Sequence, residues 1–181
     1  MDEQVKGAFH LASKPELYDP ARSNTFELIV HDVENLNLED SQETLRISVK
    51  KVNIPDFEQG VVSLQRTNNK VKFAGVVTFS EGSIDLYDFI DTHGRSAIKA
   101  WQKLSYDIDT ETVGRAKNYK KSCTLIEYTP DFEAIRAWDV VGAWISKVSN
   151  DEYDHENDGS PRGITATLVF DYIKYNDNYE G

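Results

Sequence analysis

The sequence predicts a mainly β fold, an antiparallel β-sandwich or barrel with one flanking α-helix and a long β-hairpin, and three observations carry that prediction. First, strand-like runs crowd into the last third of the chain. In Tyr119–Tyr128, Ser122, Thr124, Ile126 and Tyr128 alternate with Cys123 and Leu125. A turn at Thr129-Pro130-Asp131 should reverse the chain into Phe132–Val141. In Ile164–Tyr172, Ile164, Ala166, Leu168, Phe170 and Tyr172 alternate with a mostly polar set. Second, two β-rich runs, Val61–Thr67 and Lys70–Phe79, flank the pair Asn68-Asn69, residues that tolerate the positive φ of a tight hairpin turn. Third, helical spacing is convincing in one stretch, roughly Phe89–Leu104, where Ile90, Ala97, Ile98, Trp101 and Leu104 recur on one side. That helix should pack Trp101 onto the sheet.

Taken in order, Met1–Ser23 is polar, carries Pro15 and Pro20 and shows neither period, so it reads as an extended arm with four apolar docking residues, Phe9, Leu11, Leu17 and Tyr18. Phe26, Leu28 and Val30 alternate with Glu27, Ile29 and His31 as a first strand. Asp32–Thr44 reads as an acidic loop, and Leu45, Ile47 and Val49 as one face of a second strand closing at Ile54-Pro55. On the return arm of the hairpin, Val71, Phe73, Val77 and Phe79 are expected to share a face, with a bulge or close backbone approach at Gly75. Tyr106–Asn118 reads as a loop or short hairpin, and Ser149–Arg162 as an acidic excursion. The domain reading is an arm over residues 1–23, a β domain over 24–175 and a polar tail over 176–181.

At 181 residues one domain with a sizeable core is the simplest organisation. The 31 acidic and 20 basic residues give a formal charge of −11, which opposes stable binding of a phosphate backbone but not its transient passage. The single cysteine, Cys123, rules out an intrachain disulfide and reads as a small core residue. No basic region followed by an apolar run opens the chain, and no stretch reaches bilayer-spanning length, so no membrane partner is expected.

Site chemistry is sparse. Asp154, Glu156, Asp158 and Gly159 imitate the start of a calcium loop, but the twelfth position is Thr165 rather than glutamate. His10, His31, His93 and His155 have no spacing that would place two ligands on one face. There is no nucleophile elbow, phosphate loop or dinucleotide fingerprint. The expectation is no enzyme, no catalytic residue, no cofactor and no metal.

A strand opening Asn24-Thr-Phe-Glu-Leu, a hairpin ending Lys72-Phe-Ala-Gly75, a helix bearing Trp101, then Tyr119-Lys-Lys121, Trp138-Asp-Val-Val-Gly-Ala-Trp144 and a strand ending Phe170-Asp-Tyr172 together resemble the tail tube proteins of contractile-tailed bacteriophages, within the tail tube and secretion tube superfamily. The resemblance spans roughly Asn24–Tyr175 and departs where the proline usual after the second tryptophan is Ile145. It implies a β-sandwich with a flanking helix, six copies of which form a ring whose inward strands close a barrel. Stacked rings would form the conduit for DNA ejection. Sheath, baseplate, tape-measure and tail terminator proteins are the implied partners, and a virion assembled in host cytoplasm the implied location.

The residues agree on separate grounds, since a long hairpin with exposed ladder groups is a hazard in a monomer but is used up if its edges pair with neighbouring copies. The candidate self-assembly residues are Gln59, Arg66, Asn68, Asn69 and Lys70 of the hairpin with Phe9, Leu11, Leu17 and Tyr18 of the arm. Six copies at −11 each would repel phosphate if carboxylates line the bore; a solvated acidic exterior explains the same charge. Two other readings stand beside this one. One is the inner tube of a type VI secretion apparatus or a phage-tail-like bacteriocin. The other is a carbohydrate-binding β-sandwich, which would need Trp101, Trp138 and Trp144 as exposed platforms.

Overall fold

The computed structural model describes residues 21–36, 41–90, 93–150, 155–156, 159 and 161–176. The arm residues 1–20, half of the acidic excursion, and Asp154 and Asp158 of its calcium-loop imitation lie outside the described residues. The main sheet has seven strands: β1 (Phe26–Val30), β2 (Val49–Asn53), β5 (Gly82–Tyr87), β8 (Lys121–Tyr128), β9 (Ala134–Asn150), β10 (Gly163–Val169) and β11 (Tyr172–Asn176). Its path is β1-β8-β9-β10-β5-β2, with β11 paired to β9. Two separate hairpins accompany it, β3 (Phe57–Arg66) with β4 (Asn69–Phe79) and the short β6 (Tyr106–Asp107) with β7 (Thr112–Val113). The α-helices are α1 (Ser41–Ser48), α2 (Gly94–Ser105) and the single turn α3 (Ala116–Tyr119), and a 3-10 turn, Val33–Leu36, interrupts the expected acidic loop. The expected mainly β, antiparallel architecture with a long hairpin is what the chain adopts.

The seventeen-residue β9 is shared by both halves of the sheet. Its first half pairs with β8 and β11, and its second half with β10. The change comes at Gly142, where φ is +72° and the β8 register shifts, an extra residue that bends the strand. The partner strand bends with it. Ile164–Tyr172 is therefore not one uninterrupted strand: β10 stops at Val169, and β11 resumes at Tyr172 in the same antiparallel sense, with Asp171 N–H donating to the Val141 carbonyl at 3.0 Å. Lys120 clamps the break, its ammonium 2.7 Å from both Asp171 carboxylate oxygens. A methyl at Gly142 would collide with that carboxylate. Gly142→Ala should thus cost at least the 1–2 kcal/mol, roughly, of a left-handed alanine, read as a lower urea midpoint.

The core forms between the sheet and α2, with Leu28, Val30, Ile84, Leu86, Ile98, Cys123, Val140, Ile145, Ile164 and Leu168 buried in one cluster around Trp101. Trp101 is fully buried and its indole N–H donates to the Tyr119 carbonyl at 2.8 Å, so α2 packs as its spacing indicates.

The boundaries differ from expectation in three places. The helix begins at Gly94 rather than Phe89, and Ile90, assigned to its inner stripe, is 98% exposed outside it. The expected second strand is half helix. Leu45 and Ser48 point inward from α1 while Ile47 is exposed, because apolar residues at 45, 47 and 49 fit a short helix ending in a short strand as well as one strand. Gly94 lets the two helices meet, since a Cβ there would stand 2.6 Å from Ser48 Oγ. Finally, the acidic loop starts later than Ser149, because β9 continues to Asn150.

Candidate self-assembly surfaces

The hairpin β3–β4 pairs with no other strand among the described residues, and β3 is exposed along its whole length. The expected irregularity at Gly75 is present. Gln59 faces Val77 but Val61 faces Ala74, so Gly75 and Val76 together oppose Gly60, and a Cβ on Gly75 would lie 2.9 Å from the Gly60 carbonyl carbon. This bulge overturns the expected single face. Beyond it, Val71 and Phe73 pair with Leu64 and Val62; before it, Val77 and Phe79 pair with Gln59 and Phe57 on the opposite face, because one extra residue inverts the alternation. Val62, Leu64, Val71 and Phe73 thus make a contiguous apolar face, each about half exposed. Phe79 turns the other way and anchors the hairpin, its ring 6.0 Å from that of Phe170.

The turn residues are Thr67 and Asn68, flanked by the pair Arg66–Asn69, so the positive φ falls on Thr67 (+51°) rather than on an asparagine. The Thr67 hydroxyl donates to the Arg66 carbonyl at 2.7 Å. Lys70 pairs with Gln65 near the tip, and Gln59 sits at the bulge. The structure brings Arg66, Asn68, Asn69 and Lys70 together at the tip and leaves Gln59 at the other end. Phe9, Leu11, Leu17 and Tyr18 lie outside the described residues. The four apolar residues were absent from the sequence-based candidates. Their alternation was legible, but alternation alone does not say whether a face meets a core or solvent.

Other edges are open too. Among the described residues β1 hydrogen bonds only to β8, β2 only to β5 and β11 only to β9. The tryptophans are not platforms: Trp101 is buried, and Trp138 and Trp144 are partly buried with rings 5.4 Å from Tyr175 and 5.8 Å from Tyr119. The carbohydrate reading loses its requirement.

Cys123 sits in the core, and burial pushes its thiol up from 9.0 to about 12, opposed by the nearby Lys121. Lys121 shows the reverse effect, lowered by burial against the attraction of Asp32, while its ammonium donates to the Asp32 carbonyl at 2.5 Å. The thiol should resist aromatic disulfide reagents in the native protein and react on unfolding. Because its folded pKa lies above the unfolded one, stability is kept below pH 9 and lost as pH rises toward 12. Chemical unfolding at pH 8 and 10 should show wild type losing about 1.4 kcal/mol more than Cys123→Ala.

No group of three metal-ligating residues occurs among the described residues, and no helix there is long and apolar enough to cross a membrane. No family model matches the sequence, and no curated protein is similar to it by sequence. Solved structures are similar. The sheath–tube complex of the extracellular contractile injection system PVC in its extended state contains a chain that superposes with a TM-score of 0.68 at 15% identity, over 92% of this chain and 97% of that one. The fold is shared with that chain of an injection-system tube assembly. The tube-terminating cap of the anti-feeding prophage gives 0.68 at 14% identity, over 89% and 93% of the two chains. The PVC sheath/tube terminator gives 0.67 at 16%, over 88% and 99%. The tube fold is therefore shared along almost the whole length of each, and these neighbours are tube, terminator and cap components rather than enzymes.

Proposed function

We propose that the protein is a structural tube subunit that assembles into six-membered rings stacked as the inner conduit of a contractile machine. The observation that carries this reading is the β3–β4 hairpin: twenty-one strand residues fixed in register, projecting an apolar face that no part of the described chain covers. A lone two-stranded hairpin is marginal in water and hazardous when apolar, so its natural counterpart is a surface on another copy. The open edges of β1, β2 and β11 offer backbone ladders for lateral pairing. A virion tail that passes DNA is the form the sequence resemblance implies, with sheath, baseplate, tape-measure and terminator proteins as partners. The fold likeness to an extracellular injection system and an anti-feeding prophage equally supports an injection tube. Negative-stain imaging and sedimentation of the purified protein test the shared part: rings or tubes are expected, and a stable monomer across micromolar to millimolar concentration would overturn it. Neighbouring genes for a capsid or for toxin cargo separate the two forms.

A further inference from the structure

The end strands of the main sheet, β1 and β2, come to two sides of one cavity of about 480 Å³ and do not hydrogen bond to each other. Its floor is apolar apart from Glu127, the register partner of Phe26, whose carboxylate is held by Arg136 at 3.3 Å. Leu125 and Trp138 are cross-strand partners on one face of the sheet, Phe26 stands on that face beside them, and Val52 approaches from β2. Its rim is cationic, formed by the exposed Arg22, Lys50 and Lys51, with the Lys50 ammonium also 5.2 Å from the Tyr87 ring. Three cations around one opening stand out on a chain of net charge −11.

The arm carries the complement of this site. Glu16-Leu17-Tyr18-Asp19 sets two large apolar side chains between two carboxylates. We propose that this segment from a neighbouring copy seats in the cavity, Leu17 and Tyr18 on the floor and Glu16 and Asp19 against the rim. The inference rests on the tube reading, because it needs copies held side by side. A neighbour's arm fits better than the chain's own. Arg22 is part of the rim, Tyr18 precedes it by only four residues, and a proline between them disfavours the tight reversal that would bring Tyr18 back over its own root. Twenty extended residues reach roughly 65 Å, ample for an adjacent subunit. Electrostatic matching would set register, and burial of the two apolar side chains would supply affinity.

The test is a cysteine cross-link in the full-length protein carrying Tyr18→Cys and Val52→Cys, the native thiol being buried. After assembly and oxidation, a non-reducing gel should show a ladder of covalent oligomers, and mixing the two single variants should give a covalent dimer and nothing larger. Arg22→Glu with Lys51→Glu should abolish the ladder. A cross-linked monomer alone, or tubes by negative stain with no cross-link, would overturn the arm site and leave the tube reading intact. The absence of any ring or tube in the same preparation would overturn both.

Discussion

Leu64→Asp with Phe73→Asp is expected to leave the subunit folded and to prevent it from forming tubes. Both side chains are about half exposed on the outward face of the β3–β4 hairpin, so the folded monomer gains little from them and its melting temperature should change by only a few degrees. In an assembly the same atoms would be covered. Full burial of a large apolar side chain is worth about 1.5–3 kcal/mol. The four half-exposed residues Val62, Leu64, Val71 and Phe73 therefore hold roughly 3–6 kcal/mol per hairpin in reserve. Removing half of that and desolvating two carboxylates should raise the critical concentration by at least about 10–100-fold. Sedimentation and negative stain against concentration read this directly. Unchanged assembly by a folded double variant would mean that this face contacts nothing. Arg66→Ala and Lys70→Ala at the tip should have a smaller effect, because exposed charges contribute little individually.

Trp101→Ala should be the most damaging single change to the subunit itself. The side chain is fully buried where α2 meets the sheet, and its N–H satisfies the Tyr119 carbonyl at 2.8 Å. Emptying such a site costs about 3–5 kcal/mol, and the stranded carbonyl adds about 1–3 kcal/mol more. Against a typical domain stability of about 5–15 kcal/mol, this approaches unfolding. Trp101→Phe keeps most of the volume and should lose much less. Urea unfolding followed by circular dichroism at a helical wavelength would order the three proteins; equal midpoints would show that the α2–sheet contact is not what holds the fold.

Strand existence was legible wherever alternation was long, as in Phe26–Val30, Lys121–Tyr128 and Gly163–Val169. It was not legible where helix and strand periods agree over few residues, as in Leu45–Val49, all of which but Val49 is helix. The helix start was misplaced because Phe89 and Ile90 are apolar and continue the spacing, yet the chain leaves Phe89 half-exposed and Ile90 fully exposed outside α2. At the candidate site, polar turn residues near Asn68 were readable because turn chemistry is local. The apolar face was not readable as a surface, because the bulge at Gly75 divides Val71 and Phe73 from Val77 and Phe79 and reassigns them to opposite sides.

By itself the sequence determined an antiparallel β domain with one amphipathic helix, a buried cysteine and a two-armed hairpin, since each follows from residue spacing within ten or so positions. Only the tertiary structure decided which apolar residues serve the core and which face outward, that β9 bends at Gly142 to bridge two halves of one sheet, and that β1 and β2 end beside a shared cavity. The physical reason is that burial and strand partnership are set by contacts between residues far apart in sequence, and hydrophobicity alone records only that a side chain avoids water, not which surface will cover it.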